Sequence, residues 1–180
     1  DPELKKRGIV GLGNTSKLDE VVWNEFNSDW NNLAYESELL ISKFTHQPIE
    51  KVSNIEIENI PLGKEREAII KQRVNQSFFR ATILSSYNLK CCITGLSITD
   101  FLVASHIVPW AKDEKNRLNP RNGLCLNSIH DKAFDKGFIT ITPEFKIKVS
   151  TFLNDFKKEN AVADLFLKYE NQSIILPDKF

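Results

Sequence analysis

The sequence contains no methionine, only three cysteines and no long apolar run. The lack of methionine in a chain that begins at Asp1 suggests a fragment or a processed chain. No apolar stretch approaches the roughly 20 residues that a membrane-spanning helix needs, so we expect no membrane partner. The 180 residues are enough for one domain with a hydrophobic core, or for a domain with a helical extension. These features predict a soluble globular protein.

The three cysteines are Cys91, Cys92 and Cys125, and no two of them form a C-x-x-C pair. This excludes a structural zinc site made of four cysteines, so no structural zinc is expected. Two adjacent cysteines also suit a local disulfide poorly. We therefore expect a reducing, cytoplasmic environment, in which the thiols act as small apolar side chains.

The formal net charge is zero, but the charges are unevenly distributed. Residues 1–60 contain 6 Lys and Arg against 11 Asp and Glu, a net charge of −5. Residues 61–150 contain 14 against 8, a net charge of +6. The central segment therefore permits a binding site for a polyanion, although a basic solvated surface gives the same pattern.

Two stretches have the apolar spacing of amphipathic helices. The first runs over residues 17–44, with Ser16 as a plausible N-cap, and the second runs from residue 64 to about residue 87. Arg73 and Arg80 lie between the apolar positions of the second helix. They are interpreted either as part of a solvated face or as contacts to nucleic-acid phosphates.

The periodicity changes after the second helix. "FLVASH" and "GLCLN" are each typical of a short strand, and a polar loop connects them. "SIHDKAFDKG" predicts a short helix that begins at Ser128 and stops at Gly137. "FITI" and "FKIKV" predict a hairpin. The order is strand, long loop, strand, helix and hairpin.

The motifs "CCITG", "ASHIVPW", "NPRNGLCLN" and "HDKAFDKGFITI" resemble the HNH endonuclease family, in particular its branch of bacterial restriction-type nucleases. The resemblance covers about residues 73–141. It implies an α+β protein with a ββα-metal nuclease core, to which the sequence adds an N-terminal helical extension. We predict a helical arm and linker over 1–62, the nuclease core with its leading helix over 63–150, and a helix and strand extension over 151–180.

The resemblance implies a role for three residues. His106 falls on the general base, which takes a proton from the attacking water. Without the other motifs, a histidine among apolar neighbours would more often be a core residue. Asn122 falls on the asparagine that braces the loop between the strands, and His130 falls on a metal ligand. The alternatives without a functional role are a turn residue for Asn122 and an exposed helical histidine without a ligand for His130.

One position departs from the family pattern. Many HNH nucleases place a metal ligand immediately before the general base, whereas this chain has Ser105, a weak ligand. We expect His130 to hold one divalent ion either with water and substrate alone or with help from a carboxylate. Asp135 is the first choice and Asp131 the second. The expected ion is Mg²⁺, with Mn²⁺ as the alternative.

The sequence thus predicts a metal-dependent endonuclease of restriction type acting on double-stranded DNA. The alternatives are a DNA-binding module that lacks activity and an HNH-type ribonuclease. Arg117 and Arg121, in the loop before Asn122, are further candidates for phosphate contacts. Because cleavage of both strands by single-ion sites usually needs two sites, we also predict a homodimer with the arm at or near its interface.

Overall fold

The structure is a computed structural model that describes residues 16–27, 29–55 and 63–177. It confirms a mixed α+β architecture in which a helical N-terminal region precedes a small-sheet core. Two antiparallel sheets of two strands each are present within the described residues. The α-helices, in chain order, are α1 (Lys17–Phe26), α2 (Trp30–Thr45), α3 (Ile49–Val52), α4 (Lys64–Ser86), α5 (Ser128–Asp135) and α6 (Asn160–Leu165). The strands are β1 (Leu102–His106), β2 (Gly123–Asn127), β3 (Ile139–Ile141) and β4 (Ile147–Val149).

The predicted arm over 17–44 forms two helices rather than one. Ser16 caps α1 as predicted: its hydroxyl accepts a hydrogen bond from Asp19 N at 3.1 Å, and the Asp19 carboxylate accepts one from Ser16 N at 2.8 Å. A new helix then starts because the Asp29 side chain caps α2 by accepting from Asn32 N at 3.0 Å. A second N-cap inside an apolar repeat therefore overrides the helical spacing.

The second and third helices pack against the long helix α4. Asn75 of α4 donates a side-chain hydrogen bond to Asn31 Oδ1 at 3.0 Å, and Ser77 donates to the Ser53 carbonyl at 2.9 Å. The Arg66 guanidinium pairs with Glu50 at 2.8 Å. These contacts fix the helical region on one side of α4. Most of the predicted linker, residues 56–62, lies outside the described residues.

The other side of α4 covers the first sheet. Strands β1 and β2 pair antiparallel, with Ser105 opposite Leu124 and His106 opposite Gly123. Apolar side chains of α4, both strands and the C-terminal segment form the core; they include Phe79, Ile83, Leu102, Leu118, Leu124, Leu126, Ile139, Ile147 and Ile174. Cys91, Cys92 and Cys125 lie in this core as buried free thiols, as expected for apolar packing.

Helix α5 follows β2 directly and completes the predicted ββα arrangement. Its N-cap is Asn127, whose side chain accepts from the backbone N–H groups of Ile129 and His130. Gly137 adopts a φ of 72° just after the helix, a conformation that favours glycine, so the predicted stop is confirmed. The predicted hairpin is also confirmed, as β3 paired with β4.

The region after β4 is built mainly from short helical turns around α6. The predicted strand there is reduced to a single bridge between Lys146 and Ser173. Over the described part of the chain, no helix is both long and apolar enough to cross a bilayer.

Candidate active site

His106 ends β1 and points toward α4 from a half-buried position. Its Nε2 lies 2.8 Å from the carbonyl oxygen of Arg117, in the loop between the two strands. Because a carbonyl oxygen only accepts hydrogen bonds, Nε2 carries the proton in this pair. The neutral ring therefore keeps its lone pair on Nδ1, the atom that can accept a proton.

Two aromatic rings fix the plane of this imidazole. Phe79 of α4 stacks on it with the centroids 3.9 Å apart and an interplanar angle of 12°, and Trp110 meets it edge-on at 5.5 Å. The Arg117 guanidinium lies over the Trp110 ring at 4.9 Å and pairs with Glu114 at 3.0 Å. The ring thus has one hydrogen bond and two packing contacts that define its orientation.

Asn122 holds the loop that carries the Arg117 carbonyl. Its Oδ1 accepts from Val108 N at 2.7 Å, and its Nδ2 donates to the carbonyls of Val108 at 3.1 Å and Asn116 at 3.2 Å. The Asn122 backbone carbonyl also accepts from Ile107 N at 2.9 Å. The buried amide therefore connects the start of the loop to its far end, the geometry that a brace requires.

His130 lies in a different environment from the one predicted. It is only 1% exposed, its Nε2 donates to the Leu165 carbonyl at 2.7 Å, and its Nδ1 accepts from Asn127 Nδ2 at 2.8 Å. Phe166 and Tyr169 enclose the ring edge-on. Both ring nitrogens are used within the protein, so this arrangement leaves His130 no lone pair for a metal ion. This arrangement favours a structural role for His130, at the contact with the C-terminal segment, over the predicted role as a metal ligand.

The next residue, Asp131, faces the strand instead. Its carboxyl lies near the Ser105 hydroxyl and the Asp135 carboxylate, one helical turn further along. Burial raises the pKa of Asp131, the Ser105 hydroxyl opposes this effect, and the Asp135 charge adds to it. The i, i+4 spacing of the two aspartates places their side chains on the same face of α5.

Two features of this pair fit a divalent ion. Carboxylate oxygens are the ligands that Mg²⁺ prefers. The pKa of Asp131 is raised mainly by burial and also by the Asp135 charge, and the charge of a cation would oppose both effects. The buried Ser105 Oγ affects that pKa but makes no hydrogen bond of normal geometry, so it is left with an unused oxygen. Across 16–27, 29–55 and 63–177, no three His, Cys, Asp or Glu residues cluster in a way that could hold a metal ion. An ion at this pair would therefore need water or substrate oxygens as further ligands.

The four predicted phosphate-binding arginines differ in their surroundings. Arg80 donates to the carbonyls of Leu102 at 2.7 Å and Thr99 at 3.4 Å, and so ties α4 to the start of β1. Arg117 is engaged with Trp110 and Glu114, as described above. Arg121 is exposed in the turn before β2, and Arg73 is half-buried on α4. Arg80 and Arg121 are thus the two exposed members of the set, and the Arg80 guanidinium already donates to backbone carbonyls.

Comparison with known proteins identifies one family. The model of the HNH endonuclease family matches residues 91–142, a segment that includes both strands, the loop and α5. No curated protein matches the chain. The family match supports an HNH assignment for this segment, a nuclease activity on a nucleic acid and the use of a divalent metal ion, as is general for HNH nucleases.

Proposed function

We propose that the chain is a metal-dependent DNA endonuclease of restriction type that hydrolyses phosphodiester bonds with His106 as the general base. The observation that carries the proposal is the 2.8 Å contact between His106 Nε2 and the Arg117 carbonyl. It fixes the tautomer that leaves Nδ1 basic, at the end of a strand inside the matched segment. Both ring nitrogens of His130 pair with protein groups, whereas His106 pairs through Nε2 and keeps Nδ1 for the attacking water.

In the proposed reaction, His106 Nδ1 takes a proton from a water molecule as that water attacks phosphorus. The Arg117 carbonyl stabilises the imidazolium that forms, because it continues to accept the Nε2 hydrogen bond. The bond to the 3′ oxygen breaks, which leaves a 5′-phosphate and a 3′-hydroxyl. Phe79 and Trp110 keep the imidazole in one plane throughout, so little reorientation is needed.

Asn122 acts as a positioning residue in this scheme. Its three side-chain hydrogen bonds join Val108, which lies just after His106, to Asn116, next to Arg117. Loss of these bonds would release the Arg117 carbonyl and with it the imidazole tautomer. We therefore expect Asn122 to affect the rate of the chemical step more than the binding of DNA.

Asp131 and Asp135 are the proposed metal ligands, with the Ser105 hydroxyl beside them. The proposed ion is Mg²⁺, with Mn²⁺ as the alternative, since two carboxylates with water and phosphate oxygens suit a hard, hydrated cation. A bound divalent ion would neutralise the charge that builds on the phosphate and stabilise the leaving oxygen. Asp135 keeps the role that the sequence predicted, and Asp131 replaces His130.

The proposed substrate is double-stranded DNA, held by the basic central segment. Its net charge of +6 over residues 61–150 favours a polyanion, and the exposed Arg121 lies directly before Asn122. Arg121 is therefore the first choice for a phosphate contact, and Arg73, Arg80 and Arg117 are the other candidates. Protein groups already bind the guanidinium groups of Arg80 and Arg117.

We further propose that the protein acts as a homodimer through its N-terminal region. Helix α1 has no buried residue, and its apolar side chains remain accessible: Leu18 is 70% exposed and Trp23 is 64% exposed. Such a face needs a partner, and the acidic charge of this region disfavours DNA. We also propose the division of the chain into an N-terminal arm and linker (1–62), a nuclease core (63–150) and a C-terminal extension (151–180).

One observation favours the alternative of a DNA-binding module without activity. Over the described residues only two carboxylates, rather than three strong ligands, come together near Ser105. If two carboxylates are too few to hold an ion at cellular concentrations, the protein would bind DNA without cleaving it.

Purified protein incubated with supercoiled plasmid and Mg²⁺, Mn²⁺ or EDTA distinguishes these functions. We expect nicked or linear products with either ion and none with EDTA. DNA binding without cleavage under all conditions would establish the binding module, and cleavage of RNA but not plasmid would establish a ribonuclease.

A further inference from the structure

A cleft of about 450 Å³ lies beside the candidate active site, between α2, α4 and the loop that follows β1. One wall is the α4 face that carries Gln72 and Asn75, and the opposite wall contains Trp110 and Arg117. Its volume is within the range of pockets that bind small organic groups. The described functions of His106, Asn122 and the two aspartates do not use this cleft.

Two atoms in the walls of the cleft lack hydrogen-bond partners. Asn75 is only 5% exposed; its Nδ2 donates to Asn31 Oδ1, but its own Oδ1 accepts from no described residue. The Nε of Arg117 is likewise buried and donates to no described residue. An unsatisfied buried group is costly, and functional sites are one place where such groups persist. Both atoms lie beneath the surface of the cleft, so a bound group would pair with them only after a side-chain movement.

Lys71 also lines the cleft, but its ammonium group lies over the Tyr35 ring at 5.3 Å, and the other polar groups favour a planar heterocycle over a bare phosphate. Asn31, Gln72 and Asn75 provide carboxamides, which can donate and accept at once, as is typical of contacts to base edges. Trp110 provides an aromatic surface for a base. Glu114 stands on the rim with its carboxylate 84% exposed, and its charge opposes a phosphate.

The cleft and the candidate base share a wall. Trp110 lines the cleft and also contacts the His106 ring edge-on at 5.5 Å. Because neighbouring nucleotides of a strand are only about 3.4 Å apart along the helix axis, a group in the cleft would belong to a nucleotide close to the scissile phosphate. The geometry thus favours a part of the substrate itself.

We propose that this cleft takes one base of the cleaved strand, unstacked from its neighbours, and so contributes to sequence preference near the cut. The proposal rests on the proposed nuclease function and adds the part of the substrate that this cleft recognises. The exposed Gln72 carboxamide is the group that would contact the edge of the base, and Asn75 Oδ1 would join it only after a side-chain movement. The two walls hold the base between α4 and Trp110. Unstacking costs a few kcal/mol, so contacts in the cleft must offset that cost.

An abasic scan of the substrate tests this assignment. Duplexes with one base removed at each position near the cut are bound in EDTA by the full chain, by Gln72→Ala and by Gln76→Ala. Gln76 is exposed on the same helix but does not line the cleft, which makes it a matched control. At one position we expect base removal to weaken wild-type binding by about tenfold and Gln72→Ala binding by much less. Gln76→Ala should behave like the wild type.

The outcomes separate this proposal from the proposed function. If wild type and Gln72→Ala respond identically to base removal at every position while the wild type still cleaves plasmid, the cleft assignment is wrong and the nuclease assignment stands. If the wild type cleaves no plasmid with Mg²⁺ or Mn²⁺, the proposed function fails, and the cleft assignment fails with it.

Discussion

Replacement of Gly123 by alanine should destabilise the fold and disturb the candidate base together. Gly123 lies opposite His106 in the β1–β2 register, where α4 approaches β2 most closely. An added Cβ would lie 2.7 Å from Ile83 Cγ1 and 2.8 Å from Phe79 Cζ, and closer still to Ile83 Cδ1. Carbon atoms in contact normally sit about 3.5 to 4.0 Å apart, so both side chains must move by roughly 1 Å. Overpacking of this kind costs about 1 to 3 kcal/mol.

The displaced Phe79 is the ring that stacks on His106 at 3.9 Å, so activity should fall as well. Urea unfolding gives the loss of stability, and plasmid cleavage under conditions where the variant is folded gives the loss of rate. Ile83→Val removes Cδ1, the nearest atom, so the double variant Gly123→Ala/Ile83→Val should be more stable than the two separate effects predict. Wild-type stability and rate for Gly123→Ala, or strict additivity in the double variant, would refute this account of the packing.

Three further predictions concern the polar residues of the core. Asn122→Asp keeps the acceptor for Val108 N but places an oxygen against the carbonyls of Val108 and Asn116. The value of kcat should therefore fall at least tenfold with little change in DNA affinity. An equal loss of DNA affinity would contradict a positioning role. His130→Ala leaves the Leu165 carbonyl and the Asn127 amide unpaired and should lower the free energy of unfolding by about 2 to 4 kcal/mol. If stability is unchanged and raised Mn²⁺ recovers lost activity, His130 is a metal ligand instead. Asp131→Asn should weaken metal binding in calorimetry and shift the Mn²⁺ dependence of cleavage to higher concentration; an unchanged dependence would exclude Asp131 from the metal site.

The local elements of the core could be predicted from sequence because their signals are local. Alternation of apolar residues marks β1 and β2, and Gly137 marks the end of α5. The sequence also predicts His106 as the general base, through the motifs that resemble the HNH family. The contact of its ring with the Arg117 carbonyl depends on the path of an irregular loop, and no periodic pattern encodes that path.

The sequence is less informative where the direction of a side chain depends on distant contacts. His130 and Asp131 differ by about 100° around a helix, and the sequence alone does not show which of them faces β1. The Leu165 carbonyl, 35 residues away, holds His130 on the buried side. In the same way, the cleft beside Trp110 combines α2, α4 and the loop, three segments far apart in sequence. Only the tertiary structure brings these groups together.

The central claim, that His106 is the general base, is tested most directly by chemical rescue. His106→Gly should leave DNA affinity and fold nearly intact but lower the cleavage rate by about 10²-fold or more. Because the ring normally occupies the slot between Phe79 and Trp110, added imidazole should restore part of the rate. His46→Ala, a change at an exposed histidine, is the matched control and should cleave like the wild type. Cleavage by His106→Gly at the wild-type rate without imidazole would contradict the assignment.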